Sequence, residues 1–310
     1  MNLILATRRS QLALAQAHWT RDRIQDLGSD VRVELREYVT RGDRVQDVPL
    51  PEIGGKGLFT LEIEHALLTR EADLAVHSLK DLPGILTAGL CLAAVPERED
   101  PRDVVVLPSG ASADGSALEV LNRLKPGAVV GTSSPRRAAQ LRLVRPDLTF
   151  RDIRGNVDTR LRKLDAGDYD AIILAAAGLR RLGWEDRISA ALPAELCIPA
   201  PGQASLGIEA RAGDPAVLEI LGRLNHAESW ARAIAERAVL THLGGGCSIP
   251  LGAYAEAIGE SLTLEAIVVA PDGSRAIRRG ASGPRDRPEE LGVHVAGLLK
   301  SAGAREVLAT

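Results

Sequence analysis

Three kinds of residue in this chain could do chemistry: a cysteine behind a run of glycines, a carboxylate closing an apolar strand, and arginines gathered where strands pass into helices. Cys247 sits in Leu243-Gly244-Gly245-Gly246-Cys247-Ser248-Ile249-Pro250. Glycine admits backbone angles closed to other residues and removes side-chain cover, so this thiol reads as presented on a tight turn. The plainer reading, a small hydrophobe in a turn, suits Cys91 and Cys197, which lie among apolar neighbours. Asp81 follows Lys80 at the end of the run Asp73–Val76 and His77-Ser78-Leu79, where α/β enzymes place catalytic groups. A carboxylate among cations stays ionised and stabilises developing positive charge. The competing reading is a structural ion pair with Lys80 or an arginine. His77, between Val76 and Ser78, reads as a hydrogen-bonded structural histidine.

The arginines are oddly placed. A helix N-terminus carries partial positive charge and free N–H groups, so acidic side chains belong there. Arg8 and Arg9 flank one such end, and Arg136 and Arg137 another. Arg151, Arg154, Arg160, Arg162, Arg180 and Arg181 fall near further loop ends. Solvated surface charge explains most single arginines. A set concentrated at strand ends points instead to a bound anion, and the guanidinium fork matches carboxylates. Phosphate is the rival, but a phosphate-loop lysine is missing because Lys56 is followed by Gly57. No two cysteines have metal-ligand spacing, so no metal is expected. A presented thiol in a chain built to hold anions suggests a covalently tethered anionic group.

Positioning these residues requires alternating strands and helices. Leu3–Ala6 reads as a buried strand, with Ser10 as N-cap of a helix from Gln11 to about Leu27. Val31–Val39 alternates as a strand. Gly54-Gly55-Lys56-Gly57 is a flexible loop, and the helix after it carries Phe59, Ile63 and Leu67. Val129-Val130 is a strand leading to Ser134 as N-cap and Pro135 at the first helical position. Ala171–Leu174 is another, leading into Ala175–Arg181. The two passages resemble one another, as related α/β lobes would. Mainly parallel sheets with sites at strand C-termini follow. After Leu224 come a helix over Ala227–His242, strands at Leu251–Ile258, Leu262–Val269 and Ser274–Arg279, and a helix over about Glu289–Leu299.

Composition narrows the field. The chain has 310 residues, which favours two or three domains. With 38 basic and 41 acidic residues its net charge is −3, which argues against a general nucleic-acid binder. Aromatics at 3% leave few platforms for stacked bases. Three cysteines in so long a chain suit a reducing compartment. The opening Met1–Arg9 does not read as a signal peptide, and no stretch approaches a membrane span. A cytoplasmic protein without membrane contact is expected.

The motifs together resemble the porphobilinogen deaminase (hydroxymethylbilane synthase) family through nearly the whole chain. The resemblance rests on Ala6-Thr7-Arg8-Arg9-Ser10, Val39-Thr40-Arg41-Gly42-Asp43, Gly54-Gly55-Lys56-Gly57-Leu58-Phe59 and Ala75-Val76-His77-Ser78-Leu79-Lys80-Asp81. Glu97-Arg98-Glu99-Asp100-Pro101-Arg102-Asp103, Gly131-Thr132-Ser133-Ser134-Pro135-Arg136-Arg137, Arg154-Gly155-Asn156-Val157 and Gly244-Gly245-Gly246-Cys247 complete it. It implies two lobes like type II periplasmic binding proteins, with mixed, mainly parallel sheets, plus a small α+β C-terminal domain carrying the cofactor cysteine. The implied bounds are 1–97 with 201–222, 102–197, and 226–310. It also implies a dipyrromethane cofactor, thioether-linked to Cys247, onto which four porphobilinogens condense with loss of ammonia before water releases hydroxymethylbilane. By family correspondence Asp81 is catalytic, and Lys80, Asp81, Ser134, Arg136, Arg137 and Arg160 contact the cofactor. Arg8, Ser10, Arg154 and Arg181 hold substrate carboxylates or assist proton transfer, Lys56 lies on a loop over the cleft, and Gln203 lies near the hinge. The implied protein is a monomer that passes its product to the next enzyme of tetrapyrrole synthesis. Departures are Gln11 where proline is frequent, Pro135 for an aliphatic residue, and Ala204-Ser205 where Gly-Ala is common.

Two other classes suit parts of the sequence. A non-enzymatic, two-lobed anion-binding protein would also use arginine-lined helix ends. A cysteine-nucleophile acyltransferase would need a histidine base, for which His242 is the neighbour in sequence.

Overall fold

Apolar runs bounded by polar turns become strands of two sheets that share one internal order. The structure is a computed structural model and describes residues 1–28, 30–44, 60–244 and 249–309. The first sheet holds β1 (Asn2–Arg8), β2 (Arg32–Tyr38), β3 (Leu74–Ser78), β4 (Leu90–Ala94) and β10 (Leu206–Arg211), ordered β2-β1-β3-β10-β4. The second holds β5 (Asp103–Val106), β6 (Val129–Gly131), β7 (Thr149–Arg151), β8 (Ala171–Ala175) and β9 (Ala190–Leu192), ordered β7-β6-β8-β5-β9. In each, three neighbouring strands run parallel, and one strand enters from the other lobe antiparallel to both its neighbours. These are two α/β lobes with mixed, mainly parallel sheets. Parallel strands bury both faces and so read as continuous apolar runs. Leu74–Val76 and Ala171–Leu174 are buried accordingly.

The chain crosses between the sheets twice, after β4 and before β10. The crossings are fastened to one another: the Glu99 N–H donates to Ala204 O at 3.4 Å and Arg98 Nε to Gln203 O at 2.8 Å. Ala204 sits at φ 71°, in the left-handed region. That conformation costs a side-chain-bearing residue roughly 1–2 kcal/mol, which gives a physical reason for glycine being common there.

The third sheet, β11 (Leu251–Ile258), β12 (Ser261–Val269) and β13 (Ala276–Pro284), is an antiparallel meander. The helices Ala227–Leu243 and Pro288–Ser301 pack on it around Val239, Leu264 and Val295. Glu236, fully buried on the first of these helices, ties this unit to the crossings. Its carboxylate pairs with Arg98 at 2.7 and 3.1 Å and accepts the N–H groups of Gly202 and Ala255 at 2.7 and 2.8 Å. At the same seam a Cβ on Gly252 would lie 2.7 Å from Ile198 O. Gly252→Ala is therefore expected to cost about 1–3 kcal/mol, read as a lowered urea midpoint. An unchanged midpoint would mean that the seam can relax.

The helix Ala227–Leu243 ends on Gly244 at φ 76°, a left-handed cap that lets the chain turn away. Cys247 lies outside the described residues, as do Lys56 and Phe59 with the glycine loop.

Candidate active site

The parallel strands of both lobes end at one cleft, and their C-terminal turns supply its walls. A cavity of about 310 Å³ lies along the seam where the helix Gln11–Asp26 meets the helix Ala176–Arg181. Arg8 reaches it from the end of β1, with Ser10 just beyond. Ser10 caps its helix by accepting the Ala13 N–H at 3.3 Å. Lys80 and Asp81 reach it from the short 3₁₀ turn Leu79–Asp81 that follows β3. Arg154 closes it from the turn after β7, and Arg137, Arg160 and Arg181 from the helices after β6, β7 and β8. The helices starting at Gln11, Pro135 and Ala176 have no acidic residue in their first turns, whereas the helix Val157–Asp165 brings Asp158 to the wall.

The local electrostatics are those of a site made for negative charge. Burial pushes Arg160 down to about 10, helped by Arg137 and Arg154 and opposed by Asp81. Burial likewise lowers Arg181 to about 10, with Glu99 opposing it. Lys80 is half-buried, and its Nζ donates to Gln203 Oε1 at 3.1 Å. Burial and then Arg137 bring it down to about 8, against the pull of Asp81 and Asp103. Three cations whose charge is disfavoured around one cavity are what a polyanionic group would relieve. In the chain without cofactor, Lys80 should therefore react with an amine-acylating reagent with a midpoint near pH 8, and an anionic ligand should raise that midpoint. Between about 8 and the ordinary 10.5 the unfolded chain holds a proton that the folded chain has lost, so this group makes stability rise with pH across that window. A midpoint near 10.5 would contradict the environment described.

Not every residue expected at the site lines it. Arg136 is 4% exposed and absent from the cavity wall; its guanidinium donates to Asp103 Oδ2 at 2.6 Å and Ile198 O at 2.7 Å. Ser134 caps the same helix, accepting the Arg137 N–H at 3.4 Å, and also lies off the wall. Arg9 is exposed and pairs with Glu37 at 3.5 Å, away from the cavity. Gln203 is buried between the lobes, where its Nε2 donates to Pro101 O and Asp103 Oδ1, each at 2.8 Å.

Asp103 is the group that sequence reasoning missed. It is fully buried at the start of β5 and takes Arg136 on one oxygen and Arg137 Nε, at 2.9 Å, on the other. Burial alone would raise its carboxyl, but the two guanidiniums outweigh that and hold it well below the usual carboxylate range. Cys197 Sγ contacts the same carboxylate at 3.4 Å, and burial with Asp103 pushes the thiol up to about 12, which makes it inert. A signal was present: an acidic residue opening the buried run Val104-Val105-Val106 needs a buried partner. Gln16 was also missed; it is 4% exposed, lines the cavity and donates to Ser78 Oγ at 3.0 Å. His77 is buried with Nε2 3.3 Å from Glu209 Oε2, and the cavity wall does not include it. Among the described residues no cluster of His, Cys, Asp and Glu is arranged to hold a metal.

This geometry can be set beside known proteins. Residues 3–219 match the model of the porphobilinogen deaminase dipyromethane cofactor binding domain, and residues 230–301 match that of the porphobilinogen deaminase C-terminal domain. The chain belongs to the porphobilinogen deaminase family. The porphobilinogen deaminase of Gloeobacter violaceus is 52% identical over 308 residues, spanning 99% of this chain and 92% of that protein. Cavity and paired lobes fall within the part that matches the family's dipyrromethane cofactor-binding domain. Among solved structures, the substrate binding domain of a putative molybdenum ABC transporter from Clostridium difficile overlays with a TM-score of 0.43 at 11% identity, over 73% of this chain and 92% of that one. The BenM effector binding domain with its effector benzoate gives 0.42 at 13%, over 78% and 93%. Among the described residues no helix is long and apolar enough to cross a membrane.

Proposed function

We propose that this chain is a hydroxymethylbilane synthase acting in the cytoplasm as a monomer. The observation that carries the reading is Asp81, whose charge acts on both Lys80 and Arg160 in a cavity also lined by Arg8, Arg137, Arg154 and Arg181, with Asp158 the other carboxylate on its wall among the described residues, in a chain of this family. Cys247 would hold dipyrromethane through a thioether, and the bound group would supply the pyrrole carbon to which four porphobilinogens are joined before water releases the linear tetrapyrrole.

The chain's own residues then divide the work. Each incoming porphobilinogen brings an acetate and a propionate, which Arg8, Arg154 and Arg181 bind and Ser10 helps orient. Lys80, Arg137 and Arg160 hold the carboxylates of the cofactor. Arg136 acts through Asp103, fixing the helix that presents Arg137. When the aminomethyl C–N bond breaks and ammonia leaves, positive charge develops on the incoming ring. Asp81 stabilises that charge and accepts hydrogen bonds from pyrrole N–H groups. As the new C–C bond forms, the proton displaced from the pyrrole carbon leaves toward solvent past the exposed Asp81. Lys56 and Cys247 take the loop and attachment roles that the family implies. The product would be consumed by an enzyme that closes a linear tetrapyrrole.

A carboxylate receptor without chemistry has no use for Asp81, which would repel its ligand. The test is stoichiometric. Incubation with porphobilinogen should release one ammonia per porphobilinogen consumed and yield a linear tetrapyrrole. Binding of porphobilinogen with no ammonia released would instead favour the anion-binding protein.

A further inference from the structure

The first cavity does not end at Arg181. Gln16 and Arg181 line both it and a second cavity of about 1030 Å³, which lies between the helix Gln11–Asp26, the crossing at Pro96–Glu99 and the start of the helix Ala227–Leu243. The two residues they share are polar. Gln16 leans on Ser78 Oγ at 3.0 Å, and Arg181 donates to Ala204 O.

The second cavity has its own chemistry. Five arginines line it against three carboxylates. Trp19 adds an indole that is 37% exposed in a chain with 3% aromatics, and Arg23 lies 5.6 Å from its ring centroid. Arg180 pairs with Glu99 at 3.1 Å in an accessible pair, which is weak and open to exchange, and with the largely covered Asp100 at 3.4 Å. Arg223 donates to Leu27 O at 2.9 Å from an exposed position. A π-face beside exchangeable guanidiniums suits a ligand of linked aromatic rings bearing carboxylates.

Resting on the function proposed above, we infer that this second cavity receives the earlier pyrrole units of the growing chain. Asp81 is fixed on a short turn after a buried strand, so each new bond must form at one place. The units already joined must therefore move away from it. A cavity of about 310 Å³ is at the low end of the roughly 300–1,000 Å³ that hold one drug-sized ligand, too small for six linked pyrroles. Passage between Gln16 and Arg181 leads to more than three times that space. Arg181 borders both sides and keeps a carboxylate partnered as it crosses. The second cavity acts only late in the sequence, when the first is full.

The test uses the full-length enzyme carrying its cofactor, limiting porphobilinogen, acid quenching and intact mass under denaturing conditions, which counts the units on each molecule. In Trp19→Ala, and in Arg23→Glu combined with Arg223→Glu, the first two additions should keep their native rates within about twofold. The last two should slow at least tenfold, so that molecules carrying two or three added units accumulate. The charge-reversed variant changes exposed positions only, so it keeps the test valid if loss of Trp19 unfolds the chain. A native distribution of species in both variants would overturn the inference and place the growing chain in solvent. Equal slowing of all four additions would also overturn it, as a general structural effect. If the unaltered chain gains no units at all, the proposed function fails first, and that outcome is distinct from both others.

Discussion

Asp81→Asn is expected to lower porphobilinogen turnover about 100–1,000-fold, the usual loss when one preorganised electrostatic group is removed, while the fold stays intact. The side chain is exposed, on a turn already fixed by the buried Leu79 and Leu82. Its replacement by an amide of the same shape should change stability by no more than about 0.5 kcal/mol. The effect is therefore separable: circular dichroism and melting unchanged, chemistry nearly gone. Asn keeps a hydrogen-bond acceptor but loses the negative charge, so it can still orient a pyrrole N–H without stabilising the developing cation. Asp81 also raises the pKa of Lys80 and of Arg160. Its loss should move the Lys80 midpoint below about 8, an independent readout of the same charge. Near-normal turnover would remove Asp81 from the mechanism.

Asp103→Asn should be damaging for a different reason. The carboxylate is the shared partner of Arg136 and Arg137, whose side chains are only 5% and 8% exposed. Breaking a buried pair from one side leaves charge uncompensated and typically costs about 3–5 kcal/mol. Here two guanidiniums lose their counter-charge, and Gln203, which bridges Asp103 to Lys80, loses the charged one of its two acceptors. We expect a large fall in the denaturation midpoint together with failure to load cofactor, because the helix presenting Arg137 is no longer anchored. The pH dependence has a definite sign. A carboxyl held below its ordinary 3.8 contributes its full stabilisation above that value and loses it only as pH falls further. The native pair should thus survive mild acid. A variant as stable as the native chain and fully loaded would show that the cluster is dispensable.

Much of this arrangement was legible in the sequence, and the reasons are local. Ser10 and Ser134 cap the expected helices because a hydroxyl before a helical run satisfies a free N–H wherever the fold places it. Asp81, Arg8, Arg154 and Arg181 meet because parallel strands deliver their C-terminal turns to one cleft. Arg136 and Arg137 show the limit of such reasoning. Adjacency at a helix start says that both lie near the cleft, but not that one faces Asp103, a residue 33 positions away in sequence. The anchoring of Glu236 on Arg98 is likewise a long-range pairing between a helix and a crossing segment, and no periodicity in either reports it. The second cavity was invisible because its walls come from five separate stretches of chain.

A covalently held polypyrrole at Cys247 is tested most directly by intact mass of the purified chain under denaturing conditions followed by peptide mapping. The expected result is an excess equal to two condensed porphobilinogen units, carried on the peptide that contains Cys247 and lost in Cys247→Ser. A bare polypeptide mass that stays bare after incubation with porphobilinogen would contradict it.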